Sequence, residues 1–232
     1  MDKSSPELRA YSQELAKTHY YNLDYHNWNH VTSMREYASK RIPNLSRLGV
    51  TLDADVVDDA ILWHDADFQL DPQENGFVSK EALAAATART NLLEMGHDEE
   101  YVEKVEIAII ATQLGQPRPT NEAMLVVESD LHNVAGPRKS FLLNSVLLAN
   151  EQLRLGNSVP TSAKTFMEGS AKFLGNYFAD PFSYIADDGS IIEQGSFTNK
   201  AMKNIRCIGR SGLNELQKIP ECINKIPDQW KY

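Results

Sequence analysis

The sequence predicts an all-α fold, and three observations lead to this prediction. Along most of the chain, apolar residues recur at the three- and four-residue spacing of a helix rather than at the two-residue spacing of a strand. Several of these segments open on Asn, Ser, Asp or Thr, which favour helix N-caps, and are interrupted by Gly. Short β-branched runs such as 105–110 lie inside longer helical periods. We therefore expect a helical bundle.

The segment 53–64 shows the helical pattern most clearly. It has a broad apolar face, Asp53 stands in the N-cap position, and Asp59 is expected to turn outward. Comparable patterns predict helices over about 4–19, 30–41, 79–95, 98–113, 120–131, 137–155, 161–178 and 198–218. The one strand pair that we predict lies around 184–197, with an Asp-Gly turn at 188–189.

The length of 232 residues is long for one ordinary domain and short for two, so we expect a single helical domain over 1–232. Its core bundle would span about 20–155, and a C-terminal helical extension without independent stability would follow over 156–232. The two cysteines, Cys207 and Cys222, are too few for a disulfide framework and are expected to be reduced thiols.

Charge and hydropathy limit the location and the partners. No apolar run approaches the roughly 18 to 20 residues that span a bilayer, and the N-terminus lacks the apolar stretch of a signal peptide. We therefore expect a cytoplasmic protein without a membrane partner. The net charge of −9 repels the backbone of duplex nucleic acid, whereas a small phosphorylated molecule could still bind in a cleft whose potential a metal ion inverts. The oligomeric state stays open, and a homo-oligomer is compatible with the sequence.

Histidines and carboxylates in three segments form a candidate metal site. The segment YHNWNH carries His26 and His30, which would share one face if both were helical. Because asparagine favours caps over helix interiors, the alternative is a helix that starts near Asn29, with His26 on the preceding loop. His64 and Asp65 end the apolar helix 53–64.

Asp130 follows an apolar run in a third predicted helix, where a buried carboxylate needs a cation or another partner. Any one of these residues alone is more often structural, and the ordered set of His, His-Asp and Asp carries the interpretation. Two imidazoles and two carboxylates suit Mn, Co, Ni, Zn or Fe better than Ca or Mg. About two positions of an octahedral ion would stay open for water and substrate, which metal-assisted hydrolysis requires.

The ordered set resembles the HD-domain superfamily of metal-dependent phosphohydrolases. YHNWNH is similar to the motif that opens the site of cyclic-nucleotide phosphodiesterases and of small bacterial and phage HD phosphohydrolases. AILWHDADF is similar to the HD helix of the latter group, and EIAIIATQ and LVVESDLHNVAG extend the likeness. The resemblance covers about residues 20–140 and continues more weakly to about 210. It implies a phosphohydrolase that acts on a nucleotide or a similar small phosphate ester.

The resemblance also implies roles for single residues. The metal ligands would be His30, His64, Asp65 and Asp130. His26 would protonate the leaving oxygen, and Asp67 would orient the attacking water or His26. Relatives often carry a histidine after the position of Thr112, where this chain has Gln113, so we expect one metal ion rather than two.

Substrate contacts are less defined by the sequence. Gln113 and Lys80 are candidates for binding substrate, with Arg118 and Arg138 as further candidates for phosphate contacts. Aromatic residues that could stack on a base, or could simply be core, are Tyr20, Tyr21, Tyr25, Trp28 and Phe68. Two alternatives to a hydrolase stay open. One is a catalytically silent HD module that binds a nucleotide or a protein, and the other is a di-iron HD oxygenase, which would need His97 and His132 near the metal.

Overall fold

A computed structural model describes residues 6–178, 182–208 and 210–231. Over these residues the chain forms twelve α-helices and one two-stranded sheet, which confirms the all-α prediction. The chain divides into two compact units. The first takes in the residues up to Asn22, His26–Asp130 and Ser183–Ile192, and the second takes in Leu23–Tyr25, Leu131–Phe182 and the residues from Glu193 onward. The expected single domain with its core over 20–155 concerns independent folding and stays a prediction.

A buried helix lies at the centre of the first unit. The helices of this unit are α1 (Pro6–Thr18), α2 (Trp28–Ser46), α3 (Ala54–Trp63), α4 (Lys80–Glu94), α5 (Glu99–Ile110) and α6 (Asn121–Asp130). The central helix α3 contacts each of the other five. Its residues Val56, Ala60, Ile61, Leu62 and Trp63 are at most 1% exposed. A helix with so broad an apolar face buries it against several neighbours, so the sequence of α3 favours its central place.

The second unit is also helical. Its elements are α7 (His132–Ala135), α8 (Arg138–Arg154), α9 (Ala163–Tyr177), α10 (Gly195–Ile208), α11 (Leu213–Gln217), α12 (Pro220–Ile223) and a final 3-10 turn (Asp228–Trp230). Helix α10 contacts α7, α8 and α9. Cys207 and Cys222 are free thiols, as expected. Among the helices of the described residues, none combines the length and the apolar character needed to cross a bilayer.

Two helix predictions were wrong at their C-terminal ends. Helix α2 continues to Ser46 through Pro43, a residue that ordinarily ends a helix, because Leu45 beyond it is fully buried. The predicted helix 198–218 is two helices, α10 and α11, with Gly212 as the N-cap of the second. The remaining predicted helices begin and end within three residues of the observed bounds, residues 4 and 5 lying outside the described residues.

The predicted strand pair is confirmed. Strand β1 (Ser183–Ile185) pairs with β2 (Ile191–Glu193), and the turn between them places Gly189 at φ +81°. This left-handed conformation suits glycine, whose N–H donates to the carbonyl of Ala186 at 2.8 Å. The pair ends earlier than predicted, because α10 begins at Gly195.

Asp59 on α3 points inward, contrary to expectation. Its carboxylate accepts hydrogen bonds from the hydroxyls of Ser12 at 3.0 Å and Tyr101 at 2.6 Å, and burial raises its pKa. Because its folded-state pKa lies above the unfolded value, its stabilising contribution is present at low pH and is lost as the pH rises through the folded pKa. We therefore expect wild type to lose stability relative to Asp59→Asn as the pH rises from about 4 to 7.

Urea unfolding of both proteins across this pH range measures the effect. Asp188→Asn is the control of opposite sign, because the hydrogen bonds from Ser190 lower the pKa of Asp188. Wild type should lose stability relative to that variant only as the pH falls below about 4, and the difference between the two should stay level from about pH 4 to 7. A difference between wild type and Asp59→Asn that stayed constant with pH would contradict a raised pKa at Asp59.

Candidate metal centre

The four predicted ligands lie at the ends of three helices of the first unit. His30 is in the first turn of α2, His64 is the C-cap of α3, and Asp130 is the last residue of α6. Asp65 directly follows the C-cap, so it is not held 100° around a helix from His64. Because α3 packs against both α2 and α6, the three helix ends bring these side chains together.

The cap of α2 decides between the two interpretations of YHNWNH. The Asn27 side chain accepts hydrogen bonds from the N–H groups of Asn29 at 2.8 Å and His30 at 3.4 Å. The helix therefore begins at Trp28, with His30 inside it and His26 on the preceding loop. The rings of the two histidines are 6.2 Å apart and nearly perpendicular, so they present different edges.

The distances between the donor atoms fit a single ion. His30 Nε2 lies 3.0 Å from Asp130 Oδ1 and 3.9 Å from Asp65 Oδ2, and His64 Nε2 lies 2.9 Å from Asp65 Oδ2. One donor atom each of His30, His64 and Asp65 lies within 4.8 Å of the other two. Donors bound at about 2.0–2.2 Å from one ion stand roughly 3 to 4.4 Å apart. The cluster is therefore about the size of a coordination sphere.

Two buried polar atoms in this cluster, His64 Nε2 and Asp65 Oδ2, face each other. His64 is 2% exposed, and its Nδ1 lies 2.9 Å from the carbonyl oxygen of Ile61. A carbonyl can only accept, so Nδ1 carries a proton and Nε2 is the atom directed at Asp65 Oδ2. Burial opposes protonation of His64, but the facing Asp65 raises its pKa to about 9, so a cation, whether a proton or a metal ion, belongs between these two atoms. Neither His64 Nε2 nor Asp65 Oδ2 has a hydrogen-bond partner among the described residues. A divalent cation satisfies both atoms, and the bond to Ile61 is the kind that orients a metal-binding histidine.

The charges of the cluster also suit a cation. Burial opposes ionisation of Asp65, yet His64, His26 and His30 hold its pKa below the usual range. Burial likewise opposes ionisation of Asp130, and the hydrogen bond from His30 holds its pKa below the usual value. Both carboxylates are therefore ionised at neutral pH, and two buried anions beside two imidazoles match the charge of one divalent ion.

Tyr20 is a neighbour of the site that the sequence suggested only as a stacking residue. Its hydroxyl oxygen accepts a hydrogen bond from the backbone N–H of Asp65 at 3.3 Å. Burial and the nearby Asp65 raise the pKa of Tyr20, so its hydroxyl stays protonated. Tyr20 thus fixes the backbone of one predicted ligand. No spacing rule links residues 20 and 65, so this contact had no signal in the sequence.

The two predicted catalytic residues lie in different surroundings. The His26 ring stacks on Phe68, with ring centroids 3.8 Å apart and an angle of 19° between the planes. Asp67 has a φ of 58°, and its carboxylate accepts hydrogen bonds from His19 Nδ1 at 3.0 Å and the Thr87 hydroxyl at 3.2 Å. The structure thus brings Asp67 together with His19 and Thr87. The catalytic roles of His26 and Asp67 stay predictions.

The predicted substrate contacts are held by other protein groups. Lys80 donates hydrogen bonds to the carbonyl oxygens of Phe68 and Leu70, and Gln113 accepts one from the Ser79 hydroxyl at 3.1 Å. In the second unit, Arg138 donates to the Ser211 hydroxyl at 3.1 Å. Their roles toward a substrate stay predictions.

Comparison with known proteins bears on the fold. No protein-family model matches the chain, and no curated protein matches it. Among solved structures, the phosphodiesterase domain of the RhoPDE fusion protein from the choanoflagellate Salpingoeca rosetta is similar, with a TM-score of 0.54 and 14% identity over 96% of this chain and 86% of that chain. The phosphodiesterase domain of rhodopsin phosphodiesterase from the same organism gives a TM-score of 0.52 and 14% identity over 93% of this chain and 81% of that chain. The chain therefore has the all-helical fold of these phosphodiesterase domains.

Proposed function

We propose that this chain is a metal-dependent phosphohydrolase of the HD superfamily that cleaves a phosphate ester of a nucleotide or a similar small molecule. One observation carries the proposal. The buried His64 Nε2 and Asp65 Oδ2 face each other at 2.9 Å without a hydrogen bond to either atom. An imidazole nitrogen and a carboxylate oxygen in this arrangement call for a cation, and the four-residue donor set suits one ion of Mn, Co, Ni, Zn or Fe better than Mg.

The chain's own residues divide the work of hydrolysis. His30, His64, Asp65 and Asp130 would hold the ion, which supplies a Lewis acid and makes water acidic enough to attack phosphorus near neutral pH. His26, on the loop before α2, would donate a proton to the departing oxygen. Its ring lies 6.2 Å from that of His30, close enough to reach an ester bound at the ion while staying outside the donor set.

The two alternatives make different demands on the site. A silent binding module has no need of the buried imidazole–carboxylate pair of His64 and Asp65, because removing two such polar groups from water costs stability. A di-iron oxygenase needs more histidines at the site. His97 stacks on Tyr101, and the Tyr101 hydroxyl donates to Asp59 in the middle of α3. The ligands His64 and Asp65 lie at the C-terminal end of the same helix, so His97 packs beside a different part of α3. These contacts favour one ion.

The test is metal analysis of the purified chain together with a phosphate-release assay. The protein is prepared without chelator, and its metal content is measured after incubation with Mn, Co, Ni, Zn, Fe or Mg. Each form is then assayed on nucleoside monophosphates, triphosphates and cyclic phosphates. We expect about one transition ion per chain and turnover of at least one ester class. His97→Gln, which removes a histidine outside the donor set, should retain both properties.

Each result of this assay separates the candidate functions. Stoichiometric metal with phosphate release supports the hydrolase and identifies the ester class. One bound ion without turnover on any ester would leave the binding module as the function. Two irons per chain with oxygen consumption would support the oxygenase. A chain that bound no transition metal under any of these conditions would contradict the proposed site itself.

A further inference from the structure

The loop that follows Asp65 carries an aromatic ring that stacks on His26. Phe68 lies on this loop, and its ring is nearly parallel to the imidazole of His26 at a centroid distance of 3.8 Å. Parallel contact at this distance keeps the imidazole plane parallel to the Phe68 ring, because any tilt drives the two rings into each other. The orientation of Phe68 therefore sets the plane in which the His26 nitrogens lie.

Phe68 is itself held by a lysine from another helix. Lys80 is the first residue of α4, and its ammonium group donates to the carbonyl oxygens of Phe68, at 2.5 Å, and of Leu70. The same ammonium lies 5.2 Å from the centroid of the Phe68 ring, within the range of a cation–π interaction. One side chain thus fixes both the backbone and the ring of the residue that supports His26.

Asp67, the residue before Phe68, is also fixed by its contacts. Asp67 adopts a left-handed φ of 58°, a conformation that costs a non-glycine residue of the order of 1 kcal/mol and must be imposed by its contacts. The Asp67 N–H donates to the His19 carbonyl at 3.1 Å, and the Asp67 carboxylate accepts from His19 and Thr87. The turn that leads to Phe68 is therefore held by three hydrogen bonds, two of them to His19 and one to Thr87.

We propose that Phe68 and Lys80 are positioning residues for the proton donor His26. The proposal rests on the function proposed above. In the step concerned, the oxygen of water bonds to phosphorus while the ester P–O bond breaks and its electron pair passes to the leaving oxygen. His26 gives its ring proton to that oxygen, and the proton that water loses restores His26 through solvent. Phe68 sets the plane of the donating ring, and Lys80 keeps Phe68 in place.

This role differs from direct substrate binding in a measurable way. A misplaced general acid slows only the departure of a poor leaving group, because a nitrophenolate leaves without being protonated. Loss of a phosphate contact would instead raise KM for every ester of the same phosphate. The comparison needs two substrates that differ only in the leaving group, an alkyl ester and a p-nitrophenyl ester.

The kinetic test uses Phe68→Leu and Lys80→Met in the full chain loaded with metal. We expect kcat on the alkyl ester to fall about 10- to 100-fold, the range of a weakened general acid, and kcat on the nitrophenyl ester to change less than about twofold. Phe68→Tyr should restore most of the loss, since it keeps the ring. Lys104→Met, which removes an exposed lysine paired with Glu100, is the matched control and should leave both substrates unaffected.

A second measurement does not depend on turnover. In a histidine-labelled sample loaded with zinc, the ring current of Phe68 should shift the His26 ring protons upfield, and both Phe68→Leu and Lys80→Met should reduce that shift. Unchanged His26 resonances in Lys80→Met, or equal kcat losses on both esters, would overturn the positioning role while the hydrolase stood. If wild type released no phosphate from any ester, the proposed function itself would be contradicted. The role of His26 as a proton donor would then be contradicted as well.

Discussion

Replacing Asp65 with asparagine is expected to remove the bound ion and to lower kcat/KM by about a thousandfold or more, which corresponds to roughly 4 kcal/mol or more of lost transition-state stabilisation. Asp65 is the carboxylate that lies closest to His64 and also within 3.9 Å of His30. Asparagine has nearly the same shape but carries no charge, and an NH₂ group, which can only donate, replaces one of the two carboxylate oxygens. Asp130 would then be the one negative charge left in the donor set to balance a divalent ion.

Metal content by elemental analysis and kcat/KM on the ester found active measure this effect. The matched control is Asp71→Asn, an exposed aspartate six residues further on whose side chain accepts from the N–H groups of Gln73 and Glu74. Asparagine can accept the same bonds, so this control removes one negative charge from the same segment and should keep metal and activity. An Asp65→Asn protein that retained one ion per chain with wild-type activity would show that Asp65 is not a ligand.

The helices could be predicted from sequence because their signals are local. Apolar spacing and a capping side chain lie within one or two turns of each other, as at Asp53, whose predicted cap is confirmed. Asn27 caps α2 in the same local way, two residues before the start near Asn29 that the sequence suggested. The misplaced end of α2 had the opposite cause. Pro43 is a local stop signal, and it is overridden by the burial of Leu45 two residues further on, which depends on packing against other parts of the chain. Asp59 shows the same limit, because its inward orientation depends on Ser12 and Tyr101.

The candidate ligands could be selected for a different reason. His64, Asp65 and Asp130 are polar residues at the ends of apolar helices, and such residues need a partner when the helix is buried. His30 could instead be selected from the segment YHNWNH. Their distances from one another depend on how α2, α3 and α6 pack, which no spacing in the chain encodes. The same holds for the support of the site. The contact of Tyr20 with Asp65 joins the segments that follow α1 and α3, and the contact of Lys80 with Phe68 joins the start of α4 to the loop after α3.

Replacing Glu128 with glutamine is expected to lower the free energy of unfolding by roughly 3–5 kcal/mol, the cost of breaking one partner of a buried ion pair. Glu128 lies on α6, two residues before Asp130, and its side chain is 1% exposed. One carboxylate oxygen accepts from the Tyr37 hydroxyl at 2.6 Å and from Arg41 Nε at 2.8 Å, and the other accepts from the Tyr184 hydroxyl at 2.5 Å. A glutamine amide can replace only one of these oxygens as an acceptor.

The larger part of this cost should come from Arg41 rather than from the tyrosines. The Arg41 side chain is 15% exposed, so the variant would leave a guanidinium mostly buried without its counter-charge. Tyr37→Phe and Tyr184→Phe each remove one hydrogen bond to Glu128, and each should cost only about 1–3 kcal/mol. Urea unfolding of the three variants gives the comparison, and costs of similar size would contradict the ion pair as the main contribution.

A double variant isolates the charge. In Glu128→Gln with Arg41→Met, the uncompensated guanidinium is gone, and a side chain of similar length fills its place. If the lone charge causes the loss, the double variant should be more stable than Glu128→Gln alone, although it lacks two polar groups of the wild type. If the losses in the free energy of unfolding from the two substitutions instead added, the hydrogen bonds would be the main contribution of this network to stability. Because Glu128 and Asp130 share the last turn of α6, metal affinity should follow the same order of variants.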